Sequence, residues 1–367
     1  PKAPPRDRPL PSASAHPSAA MFSLLVVGLL PLDRRTALAA CASLVVPRPA
    51  TLPASAALRR TASIPTWDLG GVQMPTLALN TAGLSADAAE RATRLAVNAG
   101  ITHVDFHPGI ERDGVARAIA SIGRTQSALF LTTKIRAVKD PAVSPAEAAV
   151  IAQKQIDEDL EVLHVPSVDM LMIRDSPDCA VMHAQWAVLE DALKSGKTRA
   201  IGTVNYCEKQ LDCLLQFARV KPAVNYYMYH CGMGPDSHGL RSYGEKAGVR
   251  TFGYGALGEP GPSSEILASP VLRRIGEAHN RSTTQVALRW ALQGGVAMSV
   301  RPTSDFGLGT SACRAEDDAC EAGLRERAGV FEWSLSSQEM SEIDVLDAPD
   351  GIPALFSSSC NPERIGI

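Results

Sequence analysis

Residues 168–204 read VDMLMIRDSPDCAVMHAQWAVLEDALKSGKTRAIGTV, and the fold turns on how that run divides. Val168–Ile173 is apolar apart from Asp169, a length that suits a buried strand and is too short for a helix. Val181–Leu193 then carries apolar residues at helical spacing and stops at Gly196. Arg199–Val204 returns to a short apolar run. A strand, a helix and a strand joined in this way form a crossover between parallel neighbours.

The same alternation extends in both directions. Upstream, Trp67–Leu69 and Val72–Met74 flank Gly70-Gly71 as a small hairpin, and Thr76–Leu79 is the first strand of the alternating series. The helix Ala86–Ala99, the strand His103–Phe106, the helix Gly114–Ile122 and the strand Leu129–Lys134 follow. Pro145–Leu163 is a long helix with Ala149, Ile151, Ala152, Ile156, Leu160 and Leu163 expected on one face. Downstream come the helix Leu211–Phe217 and the strands Ala223–Tyr227, Arg250–Tyr254 and Val296–Val300. Eight strands with intervening helices over roughly 250–300 residues specify an α/β protein, a closed (β/α)8 TIM barrel, rather than an open doubly wound sheet. No G-x-G-x-x-G follows a strand, which also counts against a dinucleotide-binding sheet.

A barrel of this type places its chemistry at the carboxyl ends of the strands. That rule selects Asn80, Asp105, Lys134, Arg174, Asn205, Tyr227, Tyr254 and Arg301. Asp, Lys and Arg in one ring point to a functional mouth or to structural ion pairs there.

Composition bounds the partners. The chain is 45% hydrophobic and 20% charged with net charge −3, so nucleic acid is not an expected partner. No apolar run reaches the length of a transmembrane span. The first sixty residues carry a net +6 and the remainder −9, which sets a basic leader against an acidic body. Residues 1–64, rich in Pro, Ala, Ser and Arg, read as a targeting or disordered leader. Within it Arg34-Arg35, the apolar Ala37–Val46 and the small-residue site Ala54-Ser55-Ala56 resemble a twin-arginine export signal. Behind a plastid-type leader that order addresses the thylakoid lumen; in a bacterium it addresses the periplasm. The barrel is expected over 65–350, with a Gly/Ala/acid-rich insertion at 305–323 and a tail at 351–367. The cysteines lack metal-ligand spacing, so no metal is expected and buried thiols are the plain reading; Cys313 and Cys320 could pair in an oxidising compartment.

Eight segments, in order, are similar to aldo/keto reductases. They are Gln73–Leu79, His103–Asp105, Leu131–Lys134, Val168–Ile173, Gly196–Gly202, Lys221–Asn225, Tyr254–Gly258 and Val330–Leu335. The resemblance covers about residues 66–348 and implies NADP(H) as cofactor and a small carbonyl compound as substrate. In that family a Tyr hydroxyl protonates the carbonyl oxygen, a Lys and an Asp lower the Tyr pKa, and a His orients the substrate. Asp105 and Lys134 match the Asp and Lys, but Gly109 and Ile110 stand where the Tyr belongs and Arg174 stands for the His. For the cofactor, Asn205 and Tyr254 match, while Val204 replaces a Ser, Tyr226 a Gln and Gly255 a Ser. Pro302-Thr303-Ser304 stands for the family's Pro-Lys-Ser/Thr, and the downstream Arg–Glu–Asn cluster becomes Gly323–Arg327. Each lost cation removes a charge-assisted bond of about 1.5–3 kcal/mol unless Arg301, Arg325 or Arg327 compensates.

Three functions fit this pattern. One is an aldo/keto-reductase-like barrel with impaired or altered catalysis, retained as a ligand-binding protein. Another is an active NAD(P)H-dependent carbonyl reductase in which His107 supplies the proton and Arg174 polarises the carbonyl. The third is a non-catalytic subunit of a larger protein complex.

Overall fold

The computed structural model describes residues 63–122, 129–138, 140–236, 239–257, 263–303, 313 and 318–346. The leader motifs and residues 351–367 lie outside the described residues, as do 305–312 and 314–317 of the expected insertion. Two short strands, β1 (Thr66–Asp68) and β2 (Gln73–Pro75), pair antiparallel. The eight that follow are β3 (Leu77–Asn80), β4 (His103–Asp105), β5 (Phe130–Ile135), β6 (Val168–Arg174), β7 (Thr198–Val204), β8 (Val224–Met228), β9 (Arg250–Tyr254) and β10 (Ala297–Val300). Every neighbouring pair among these eight is parallel, and β10 closes the ring by pairing with both β9 and β3.

Helices fill the crossovers: α1 (Ala86–Asn98), α2 (Ile110–Ile122), α3 (Pro145–Leu163), α4 (Cys179–Lys194), α5 (Glu208–Leu215) and α6 (Leu240–Ala247). Beyond β9 come α7 (Ser263–Ala268), α8 (Pro270–His279) and α9 (Thr283–Gln293), and beyond β10 α10 (Ala319–Ala328) and α11 (Ser337–Asp344). Their starts are written in the sequence. Ser144 and Glu147 form a capping box before α3, and Ser85, Asp178 and Ser269 cap α1, α4 and α8.

Strand parity sorts the core into two layers. On β6, Leu171 and Ile173 pack into the layer shared with the helices, while Met170 and Met172 fill the barrel with Ala78, Phe130, Val224, Tyr226 and Phe252. The β1–β2 hairpin lays Trp67 and Leu69 against this inner core. His103 sits within it at 0% exposure, with Nδ1 donating to the Pro75 carbonyl at 2.9 Å and Nε2 accepting from the Thr132 hydroxyl at 2.8 Å.

Cys313 and Cys320, which the sequence left able to pair, form a disulfide. The buried-thiol reading is otherwise corrected. Cys179 on α4 is bonded to Cys213 on α5, 34 residues away in sequence, and Cys207 is disulfide-bonded too. Among the described cysteines only Cys231 remains a buried thiol. Sequence spacing could not show the Cys179–Cys213 pair, because its proximity comes from helices that lie side by side only once the barrel closes. The last helix-rich third was also underread: α6 to α11 are short and interrupted by loops. The segment expected as an insertion ends before 323, since α10 begins at Ala319.

Two predictions follow from the packing. Gly114 lies inside α2, where helix propensity favours Ala by about 1 kcal/mol. A Cβ there would sit 2.1 Å from the Ala86 carbonyl oxygen of α1, a backbone atom that no rotamer change can move aside. Gly114→Ala is therefore expected to destabilise the barrel by about 1–3 kcal/mol net of propensity, read as a lower thermal midpoint; an unchanged or higher midpoint contradicts the close α1–α2 contact. The second concerns His103, whose pKa is lowered to about 4, chiefly by burial. A folded-state pKa below the unfolded value means that the unfolded chain takes the proton first. Its contribution of about 3 kcal/mol is present above pH 6.5 and lost as pH falls towards 4. Urea midpoints should fall across that window in the wild type and less steeply in His103→Gln.

Candidate active site at the barrel mouth

Parity along the strands decides which residues meet. Counting outward from His103, Phe130, Met172, Val224, Phe252 and Ala297, the next inward positions are Asp105, Thr132 and Lys134, Arg174, Tyr226, Tyr254 and Ser299. At their centre Lys134 Nζ forms an ion pair with Asp105 Oδ1, both side chains at 0% exposure, and also donates to the Phe106 carbonyl at 3.2 Å. The other carboxylate oxygen, Asp105 Oδ2, accepts from Tyr226 Oη at 2.7 Å and from Ser299 Oγ at 2.6 Å. Asn80 Nδ2 donates to the same Tyr226 hydroxyl at 3.1 Å, and Lys134 Nζ lies 5.0 Å from the Tyr226 ring centre. Burial holds the Lys134 pKa below its ordinary value, and the Asp105 carboxylate works against that fall. Tyr226 is pushed well above 10, first by burial and then by the charge on Asp105. Its hydroxyl is a held donor inside the barrel, and its residue is only 2% exposed.

Beside this cluster Tyr254 Oη donates to Asn205 Oδ1 at 2.9 Å, and the Tyr226 and Tyr254 rings lie 4.9 Å apart. Asn205 adopts φ +60, a left-handed conformation that Asn tolerates better than most residues. Tyr227 was selected by strand-end position, but it faces the helices, with its hydroxyl 2.8 Å from Thr251 Oγ1. Tyr226, the residue before it, is the one that enters the mouth.

The remaining candidates flank a pocket of about 360 Å³ lined by Ala82, Gly83, His107, Pro108, Glu111, Arg136 and Arg174. His107 Nδ1 is 3.5 Å from Glu111 Oε1. The His107 pKa is driven well below 6.5 by burial and then by Lys134, Arg174 and Arg301, so the imidazole is neutral. Burial raises the Glu111 carboxyl above its ordinary value. Arg174, half-buried, has no carboxylate partner among the described residues, and neither does Arg301. Glu111, Arg136 and Ser299 were not among the expected residues. Glu111 and Arg136 belong to loop and helix-start positions with no strand register to point to them. Ser299 could have been found by counting parity back from Arg301.

The end where a cofactor phosphate would be held is mixed. Thr303 Oγ1 is buried without a partner, an orphaned hydroxyl of the kind a ligand oxygen satisfies. Ser304 lies outside the described residues. Of the two downstream arginines, Arg325 pairs with Glu321 at 2.7 Å and Arg327 turns inward, donating to the Gly323 carbonyl at 2.9 Å. A Cβ on Gly323 would fall 2.3 Å from the Pro302 carbonyl oxygen, so no longer side chain fits there in this packing. The nicotinamide end fits less well, because the Asn205 amide oxygen and the Tyr226 hydroxyl are already bonded to the protein's own groups.

The central pair generates a prediction. Removing the carboxylate leaves a fully buried ammonium without its counter-charge, a loss of about 3–5 kcal/mol. Asp105→Ala should therefore lower chemical-denaturation stability by that amount; a change below about 1 kcal/mol contradicts the buried pair.

The sequence model described as the aldo/keto reductase family matches residues 66–348. Among curated relatives, "Aldo-keto reductase family 4 member C11" of Arabidopsis thaliana is 28% identical over 76% of this chain and 87% of its own length. The "Glyoxal reductase" of Bacillus subtilis is 28% identical over 77% of this chain and 92% of its own. A solved aldo/keto reductase from Brucella melitensis superposes with a TM-score of 0.64 at 25% identity, covering 78% of this chain and 98% of that one. No described helix is long and apolar enough to cross a membrane.

Proposed function

The chain belongs to the aldo/keto reductase family, and from that premise we propose that its mouth has left ordinary carbonyl reduction and serves as a ligand-binding site with impaired catalysis. One observation carries this reading: the Asp105 carboxylate is saturated from within, by Lys134, Tyr226 and Ser299. In a reductase of this family the Asp and Lys tune a Tyr that faces the substrate. Here Gly109 and Ile110 stand where that Tyr belongs, and the one tyrosine on the Asp–Lys pair is buried in the barrel. A positioned acid contributes about 10²–10⁴-fold to such a step, and Arg174 supplies charge without yielding a proton. NADP(H), if bound, is held at its phosphate end by Arg301 and Thr303, whose guanidinium and hydroxyl have no carboxylate and no hydrogen-bond partner, respectively, among the described residues. Bound cofactor supplies hydride to a carbonyl; this chain's own residues leave the proton unprovided. A binding role also accommodates a protein partner in a larger assembly. The disulfides Cys179–Cys213 and Cys313–Cys320 support an oxidising compartment, the thylakoid lumen or a bacterial periplasm, as the address of the leader.

A second reading, altered catalysis, rests on the pocket beside the ion pair. Arg174 lines that pocket and is placed to polarise a bound carbonyl, and His107 stands beside it, its Nδ1 3.5 Å from Glu111 Oε1, as the substitute proton donor.

Purified protein assayed with NADPH and a panel of small aldehydes separates the two. Negligible turnover is expected, at least about a hundredfold below rates typical of enzymes. A variant combining Ile110→Tyr, Arg174→His and Thr303→Lys should gain more activity than any single change. Family-like turnover by the unmodified chain overturns the impaired reading, and a large loss in His107→Ala or Glu111→Gln then identifies the substitute acid.

A further inference from the structure

The bond between Cys179 and Cys213 has a chemical neighbour. His183 lies one turn after Cys179 on α4, and its Nε2 is 3.5 Å from both sulfurs. The same nitrogen is 2.8 Å from the Cys213 carbonyl oxygen, which can only accept, so Nε2 carries the proton. The Phe217 ring packs against the imidazole, tilted by 46° with 4.0 Å between ring centres, and limits its orientation. All three residues of the cluster are partly exposed. The other described bridge differs: Cys313 and Cys320 are 1% and 0% exposed.

We infer that Cys179, Cys213 and His183 form a thiol–disulfide exchange site that takes a protein dithiol of the Cys-x-x-Cys class as its reductant. The two sulfurs are not equivalent. Cys179 is the first residue of the 16-residue helix α4, where the positive end of the helix dipole favours a thiolate, whereas Cys213 lies near the end of α5. Attack by the reductant's thiolate therefore falls on Cys213 Sγ. The sulfur–sulfur bond breaks, and Cys179 Sγ leaves with the electron pair, held by the helix N-terminus and the Nε2 proton of His183. The reductant's second thiolate then displaces Cys213 from the mixed disulfide. Two electrons pass to the chain, the reductant becomes a disulfide, and the protons lost by its two thiols are matched by those gained on Cys179 and Cys213. The Asp178 carboxylate caps this helix end, accepting from Ala180 N at 2.8 Å, and its charge opposes a neighbouring thiolate, so the proton on His183 Nε2 is what carries the leaving sulfur.

The position gives the exchange a consequence. Asn205, at the mouth, lies three residues before α5, and Arg174 lies five before α4. The bridge fastens these two helices to each other, so its reduction loosens the backbone that carries Asn205.

Timed exposure of the oxidised full-length chain to such a dithiol protein, followed by thiol alkylation and peptide mass mapping, tests this without any turnover assay and so independently of the proposed function. Cys179 and Cys213 should be labelled at least about tenfold faster than Cys313 and Cys320. His183→Gln should slow the first pair about tenfold and leave the second unchanged. On reduction, amide exchange over residues 205–215 should rise. Equal rates for the two bridges, a wild-type rate in His183→Gln, or unchanged amide exchange each overturn the inference. So does labelling of the reduced chain that requires a chelator, because the three ligand atoms lie within 4.8 Å and a metal would then be their occupant. The comparison of the two bridges in the wild type stands even if the variant does not fold.

Discussion

A charged pair with no water around it is the constraint on which the mouth of this barrel depends. Asp105 and Lys134 are both at 0% exposure, and desolvating two ions costs several kcal/mol each unless every lone pair and proton finds a partner. Here the partners come from four other places: the Phe106 carbonyl, Tyr226, Ser299 and, through Tyr226, Asn80. Strands β3, β4, β5, β8 and β10 are thereby tied across the lumen by one network. Such a network is either complete or expensive, which is reason enough for the pair to persist whatever the mouth binds.

That completeness also changes what the site can do. An acid for carbonyl reduction must face the substrate and be poised to release a proton. Tyr226 does neither, since its hydroxyl is spent on Asp105 and burial drives its pKa up. The free electrostatic potential of the mouth lies elsewhere, on Arg174 and Arg301, which have no carboxylate partner among the described residues. Their field is felt at His107, which it helps to keep neutral. On the proposed reading, the mouth offers a ligand a cationic rim beside a small pocket in place of an acid aimed at a carbonyl.

How much of this could be read from the chain follows from the periodicities involved. Strands of four to seven apolar residues, separated by capped helices, gave the barrel and its mouth, because each strand is buried on both faces and little else in solution has that pattern. Asp105, Lys134, Arg174 and Tyr254 were identified by strand end and by resemblance together. Tyr227 was misplaced because a strand end is known only to within a residue, and one residue reverses the face. The saturation of Asp105 by Tyr226 and Ser299 was out of reach, since it joins side chains 121 and 194 residues apart. The Cys179–Cys213 bridge was hidden for the same reason: only the closed barrel brings α4 against α5.

The central claim is that Tyr226, by bonding to Asp105, occupies the place where a nicotinamide would meet the protein. Tyr226→Gln places there the side chain that the family resemblance implies and takes away one of the three side chains that hold the carboxylate. Titration of NADPH against intrinsic tryptophan fluorescence, for the wild type and this variant, measures the claim directly. The account predicts weak wild-type binding and a dissociation constant at least about tenfold lower in the variant, a difference of about 1.4 kcal/mol. Tight binding by the wild type, unimproved by Tyr226→Gln, would contradict it.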